Sequence, residues 1–206
     1  MCAGMPHNQR RAWEENLHET AEEMLSYQCS WLTTTKREAC MVLRGKVVKC
    51  VNMGTQMLAN MMTCNPELQG KMWPHFFKDS DLLKQLLITC DCESSRYVLM
   101  CIHNCTYKDS QQCLYLTQTP LGRDILKLML LRASETLSSA TPTFDIIYSI
   151  FSNMIEVDLT PRIMEALSYG KDPCRSHVFC EGHIVFLKLL DGMVDLKGDS
   201  GREVVG

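Results

Sequence analysis

Twelve cysteines and six histidines are the residues of this 206-residue chain best suited to bind a metal or exchange electrons, and their spacing decides what they can do. Cys90-x-Cys92, Cys101-x-His103-x-Cys105 and Cys174…Cys180…His183 all supply donors, yet none forms the paired Cys-x-x-Cys knuckles of a structural zinc site. On a helix, residues two apart point in different directions, so Cys101 and His103 do not converge. Cys101 and Cys105, four apart, share a face, and core packing accounts for that pair without a metal. The N-terminal residues lack the apolar core of a secretory signal, so reduced core thiols are expected rather than a disulfide framework. Asn104-Cys105-Thr106 fits a glycosylation acceptor only by pattern, because a cytoplasmic chain meets no glycosylating machinery.

Catalytic patterns are equally thin. The chain has no phosphate-cradling Gly-x-x-x-x-Gly-Lys-Ser/Thr, no Gly-x-Ser-x-Gly elbow and no His-Glu-x-x-His. His75, His103, His177 and His183 are scattered, and the carboxylates gather at helix starts and on the outer face of the first helix, where capping and solvation explain them. No catalytic residue, cofactor or metal ligand is assigned, and the chain is expected not to be an enzyme. A net charge of −3 supplies no basic field for nucleic acid. The longest uncharged apolar-rich run, Tyr97–Tyr107, falls far short of the roughly 20 residues that span a bilayer. A soluble, cytoplasmic protein that binds other proteins is the expectation, and a cysteine-rich metal-binding or redox-linked helical protein is the alternative.

The positioning elements read as helices throughout. Val47, Val51, Gly54, Leu58 and Met61 recur at steps of four and three, with Met57 and Met62 widening the stripe. The next helix is announced by Asn65 as cap, Pro66 at the first helical position and Glu67 at the positive helix end. Whether Cys40–Cys64 is one helix or two with a joint near Gly45 stays open. Upstream, Trp13, Leu17, Ala21, Met24 and Gln28 predict one acidic outer helix over 10–31. Downstream, helices are predicted around Leu82–Cys90, Tyr97–Tyr107, from the Asp109 cap with Gln112 as an approximate capping box, and from Thr119-Pro120, Thr141-Pro142 and Thr160-Pro161. Val178–Leu196 is predicted to end in a further helix. With 46% hydrophobic residues the core is ample. Met53, Met57, Met61 and Met62 are expected within it; a methionine face left exposed would instead suit a helical partner.

Three of these helices share a pattern. Met57-Leu58-Ala59-Asn60, Cys101-Ile102-His103-Asn104 and Ile150-Phe151-Ser152-Asn153 place an asparagine at intervals of 44 and 49 residues. Each is followed by a polar turn and a shorter helix. Such periods belong to stacked two- or three-helix repeats. The expectation is an all-α, right-handed armadillo/HEAT-like α-solenoid, with one domain over 10–196 between a disordered 1–9 and a flexible tail 197–206. Asn60, Asn104 and Asn153 are the candidate groove residues. Each could clamp the backbone of a bound peptide or brace its own repeat. An importin-type groove places tryptophan four residues earlier, where this chain has Gln56, Met100 and Ser149, so nuclear-localisation cargo is disfavoured.

The segments Gly54–Trp73, Thr143–Leu167 and His183–Leu196 resemble blocks of the ataxin-10 family: an apolar-x-Asn block with a polar spacer and closing Trp73, then two middle-region blocks. The resemblance implies an armadillo-like scaffold of the cytoplasm with roles in cytokinesis and cell signalling. The family's C-terminal armadillo segment, with its Arg-Asn-Leu block, has no counterpart here. The chain is therefore expected to be a fragment, a truncated isoform or a divergent member, and functions of that segment are not carried over.

Overall fold

The proline and asparagine signals become helix starts in a computed structural model, which describes residues 3–35, 41–77, 82–90, 94–136, 142–156 and 161–163. Among the described residues nine helices follow one another without a strand: α1 Pro6–Glu14, α2 Leu17–Thr34, α3 Met41–Met62, α4 Pro66–Phe77, α5 Leu82–Thr89, α6 Ser95–Thr106, α7 Ser110–Gln118, α8 Pro120–Thr136 and α9 Pro142–Glu156. Residues 161–163 are also helical, with Ile163 buried. The tail 197–206, the segment Val178–Leu196 and the donors Cys92, Cys174, Cys180 and His183 lie outside the described residues.

The chain start departs from expectation. Helix begins at Pro6, and Gln9 is buried within α1. Its Nε2 donates to the carbonyls of Asn60 at 3.0 Å and Thr63 at 2.8 Å, and its Oε1 accepts from Asn65 Nδ2 at 3.0 Å. One glutamine thus satisfies carbonyls that the end of α3 leaves without helical partners. The helix expected over 10–31 is two, broken at Asn16, whose φ of 55° is a left-handed conformation that asparagine tolerates better than most residues. Restarting at Leu17 rotates the buried stripe to His18, Ala21, Leu25, Cys29 and Leu32, leaving Leu17 and Met24 exposed.

In α3 the expected stripe buries Val51, Gly54, Leu58 and Met61, and the helix is continuous through Gly45. A Cβ on Gly45 would meet nothing within 4 Å. Gly45→Ala should therefore raise stability by about 0.5–1 kcal/mol, read as a higher urea midpoint, by removing glycine's backbone freedom from a helix interior. The expected caps form: Asn65 Oδ1 accepts from the Leu68 N–H at 3.2 Å, Asp109 Oδ1 from those of Gln111 and Gln112, and Thr119 Oγ1 from that of Gly122 at 3.0 Å. The capping box does not close, because the Asp109 N–H donates to the Thr106 carbonyl and Gln112 Oε1 is buried without a partner. Pro74 sits inside α4 rather than ending it.

Packing follows a period of three. Helix α3 lies against α6 and α6 against α9, while α2 lies against α5 and α5 against α8. The first helix of each triplet, α1, α4 and α7, packs on the other two of its own triplet. One core runs through the rows, from Leu25 and Leu58 through Phe76, Leu86 and Ile102 to Leu126 and Phe151. Charged groups tie α5 to α8: Lys84 meets Asp124 at 2.6 Å, and Arg132 Nη2 donates to the carbonyls of Leu87 and Cys90 at 2.8 and 2.7 Å, where the helix end carries partial negative charge. Among the described residues no helix is long and apolar enough to cross a membrane.

Candidate functional site

The three aligned asparagines sit at matching places in α3, α6 and α9 and behave differently. Asn104 Nδ2 donates to the Ala59 carbonyl at 2.9 Å and lies 3.3 Å from Thr63 Oγ1, which ties α6 to the helix one triplet earlier. This is the geometry of a brace. The Asn60 side chain makes no hydrogen bond among the described residues and is half-exposed, its backbone carbonyl being taken by Gln9. Asn153 Nδ2 is buried and lacks a partner. Of the positions four residues earlier, Gln56 is exposed, Met100 is half-buried, and Ser149 Oγ is held at 2.9 Å by His103 Nε2. His103 is itself a structural link between α6 and α9, and burial lowers its pKa.

Asn104→Ala should cost about 1–2 kcal/mol in chemical denaturation, since one bond to a backbone carbonyl and a weaker one to a hydroxyl are lost while Thr63 still serves Ala59. Asn60→Ala should stay within about 0.5 kcal/mol of wild type. Equal effects at the two sites would remove the distinction between brace and free amide.

A second constellation escaped the sequence reading. Trp13 of α1 stacks on His18 of α2 with ring centroids 3.8 Å apart and planes 6° apart. His75 of α4 meets both rings edge-on at 5.8 and 5.3 Å, and its Nδ1 lies 3.5 Å from Glu22 Oε2. Lys71 Nζ approaches the Trp13 ring at 5.6 Å. His18 and Glu22 are four apart on one helix, the only signal a sequence offers for this grouping; the partners on α1 and α4 come from the fold. Burial lowers the His18 pKa, with His75 adding to the effect, and burial raises that of Glu22 against the pull of His75. His18 Nδ1 and Glu22 Oε1 are buried without hydrogen-bond partners.

These shifts have opposite signs in stability. The contribution of neutral His18 is complete above about pH 6.5 and is lost as pH falls through the folded-state value. That of protonated Glu22 is complete below about pH 4.5 and is lost as pH rises through its folded-state value. His18→Phe keeps a ring on Trp13 and removes the proton site, so its urea midpoint should change less than wild type's between about pH 7.5 and 5.5. An unchanged slope would show that His18 does not set it.

Five of the seven described cysteines are placed as packing residues. Cys29, Cys90, Cys101, Cys105 and Cys113 are buried, whereas Cys50 and Cys64 are exposed. Cys101 Sγ donates to the Thr55 carbonyl at 3.5 Å and Cys113 Sγ to that of Thr106 at 3.4 Å. Burial raises the Cys101 and Cys105 pKa values strongly and pushes Cys113 up to about 12, disfavouring the thiolate that redox exchange or metal ligation needs. Among the described residues no group of three or more His, Cys, Asp or Glu side chains is placed to hold a metal ion.

The fold and these contacts define a protein, all-helical among the described residues, in which Asn104, His103 and Arg132 join one helix triplet to the next. No protein-family model, curated protein or solved structure matches the chain.

Proposed function

We propose that the chain is a non-enzymatic protein-binding scaffold, an armadillo/HEAT-like α-solenoid of right-handed sense. It would act in the cytoplasm in the manner implied by its resemblance to the ataxin-10 family, in cytokinesis or cell signalling. The observation supporting this reading is the contact period: the second and third helices of each triplet pack on their counterparts three places on, α2 on α5 on α8 and α3 on α6 on α9. Units that bury their faces against neighbours leave an extended side available to partners. Fold alone does not give function, so the partner set is the test. Gln56 is exposed and Asn60 half-exposed on α3, so replacing both with alanine should leave the fold intact. Affinity purification with mass spectrometry should then recover partners with wild type that the double variant loses. Identical recoveries from both proteins would overturn the assignment of binding to this side.

A further inference from the structure

The second and third helices, α2 and α3, share a flank that is exposed among the described residues. Thr55, Ala59 and Met62 of α3 take the contacts from Cys101, Asn104 and Cys105 of α6. At 100° per residue, the opposite side of α3 carries Lys46, Cys50, Met53 and Met57. Cys29 of α2 meets Thr89 at the end of α5, and the opposite side of α2 carries Thr20, Met24, Tyr27 and Trp31. These two sides adjoin, because Met24 and Leu25 close on Gly54 and Arg44 donates to the Leu32 carbonyl, which also makes the pair antiparallel. At the centre of this flank Tyr27 is 74% and Met53 is 69% exposed, contrary to the expectation that Met53 lies in the core. In sequence the two stripes run 20, 24, 27, 31 and 46, 50, 53, 57, alternating steps of four and three as helix-on-helix seams do.

Charge says what fits there. Exposed Glu19 and Glu23 border the flank at one corner, and exposed Lys46 and Lys49 lie toward the diagonally opposite one, since the helices are antiparallel. Helix α3 contains no acidic residue at all. A two-fold axis in the flank that exchanges the corners lays each carboxylate pair over the other copy's ammonium pair, with apolar side chains between. A partner of one charge sign would match only one corner.

We infer that this flank is the contact between two copies of the chain, joined α2–α3 to α2–α3 about a two-fold axis. The interaction goes beyond the scaffold reading and is tested separately by molecular mass. Light scattering on the full chain at tens of micromolar should give the mass of two chains. Tyr27→Glu with Met53→Glu should give one chain with unchanged helical circular dichroism. Lys46→Glu with Lys49→Glu should weaken self-association about tenfold or more at low salt, as should Glu19→Lys with Glu23→Lys. Mixing those two charge variants should restore a two-chain particle, a result that also decides the matter if the Tyr27/Met53 variant misfolds. A single-chain wild type, a two-chain Tyr27/Met53 variant that folds normally, or charge variants that do not pair on mixing would each overturn the proposal.

Discussion

Gly122→Ala should destabilise the protein by about 3 kcal/mol or more. A Cβ at this position would lie 2.6 Å from Leu116 Cα, 2.6 Å from the Tyr115 carbonyl oxygen and 2.7 Å from the Leu116 carbonyl oxygen. All three are backbone atoms, so no flexible side chain can swing aside. Thr119 alone separates α7 from α8, and its hydroxyl accepts from the Gly122 N–H, which locks the first turn of α8 against the last turn of α7. A methyl there must push two helices apart and strain the cap. The urea midpoint should fall sharply. A midpoint within experimental error of wild type would show that the α7–α8 corner has slack the close approach denies.

Phe151→Ala should cost about 3–5 kcal/mol, the range for removing a fully buried ring. Phe151 has no exposed surface and shares the buried side of α9 with Ile147, Ile150 and Met154. Helix α9 packs on both α6 and α8, so a cavity there loosens the end of one row and its attachment to the other. Set against a typical domain stability of about 5–15 kcal/mol, this one change should bring the thermal midpoint close to working temperatures. Phe151→Leu, which refills most of the space, should cost less than about 2 kcal/mol. Equal losses for the two substitutions in paired thermal melts would mean that ring shape rather than volume matters.

These two residues mark what was legible in the sequence. Phe151 falls on a stripe with a helical period, and the stripe in α9 is buried as the spacing implies. The caps at Asn65, Asp109 and Thr119 were likewise readable, because each acts on its own helix. Gly122 carries no such mark: its neighbours lie in another helix, and nothing local separates it from the freely substitutable Gly45. The break at Asn16 was hidden because apolar residues continue at helical spacing across it, so periodicity reads straight through the turn. Gln9 was missed for the reason that hides most tertiary contacts, since its partners Asn60 and Thr63 lie more than fifty residues away. The candidate site divides the same way. The sequence sees three asparagines of one type and spacing, while only the packing of α6 on α3 separates Asn104, which braces, from Asn60, which does not.

The three-helix contact period also bears on how the molecule comes into being. The partners of each helix lie within about one triplet along the chain, so no triplet must wait for a distant segment before it can dock. During synthesis the α1–α3 group can settle first, offer its inner side to α4–α6 as that group leaves the ribosome, and so pass the growing surface forward. A stalled nascent chain ending shortly after α6 should already resist a protease through its first two triplets.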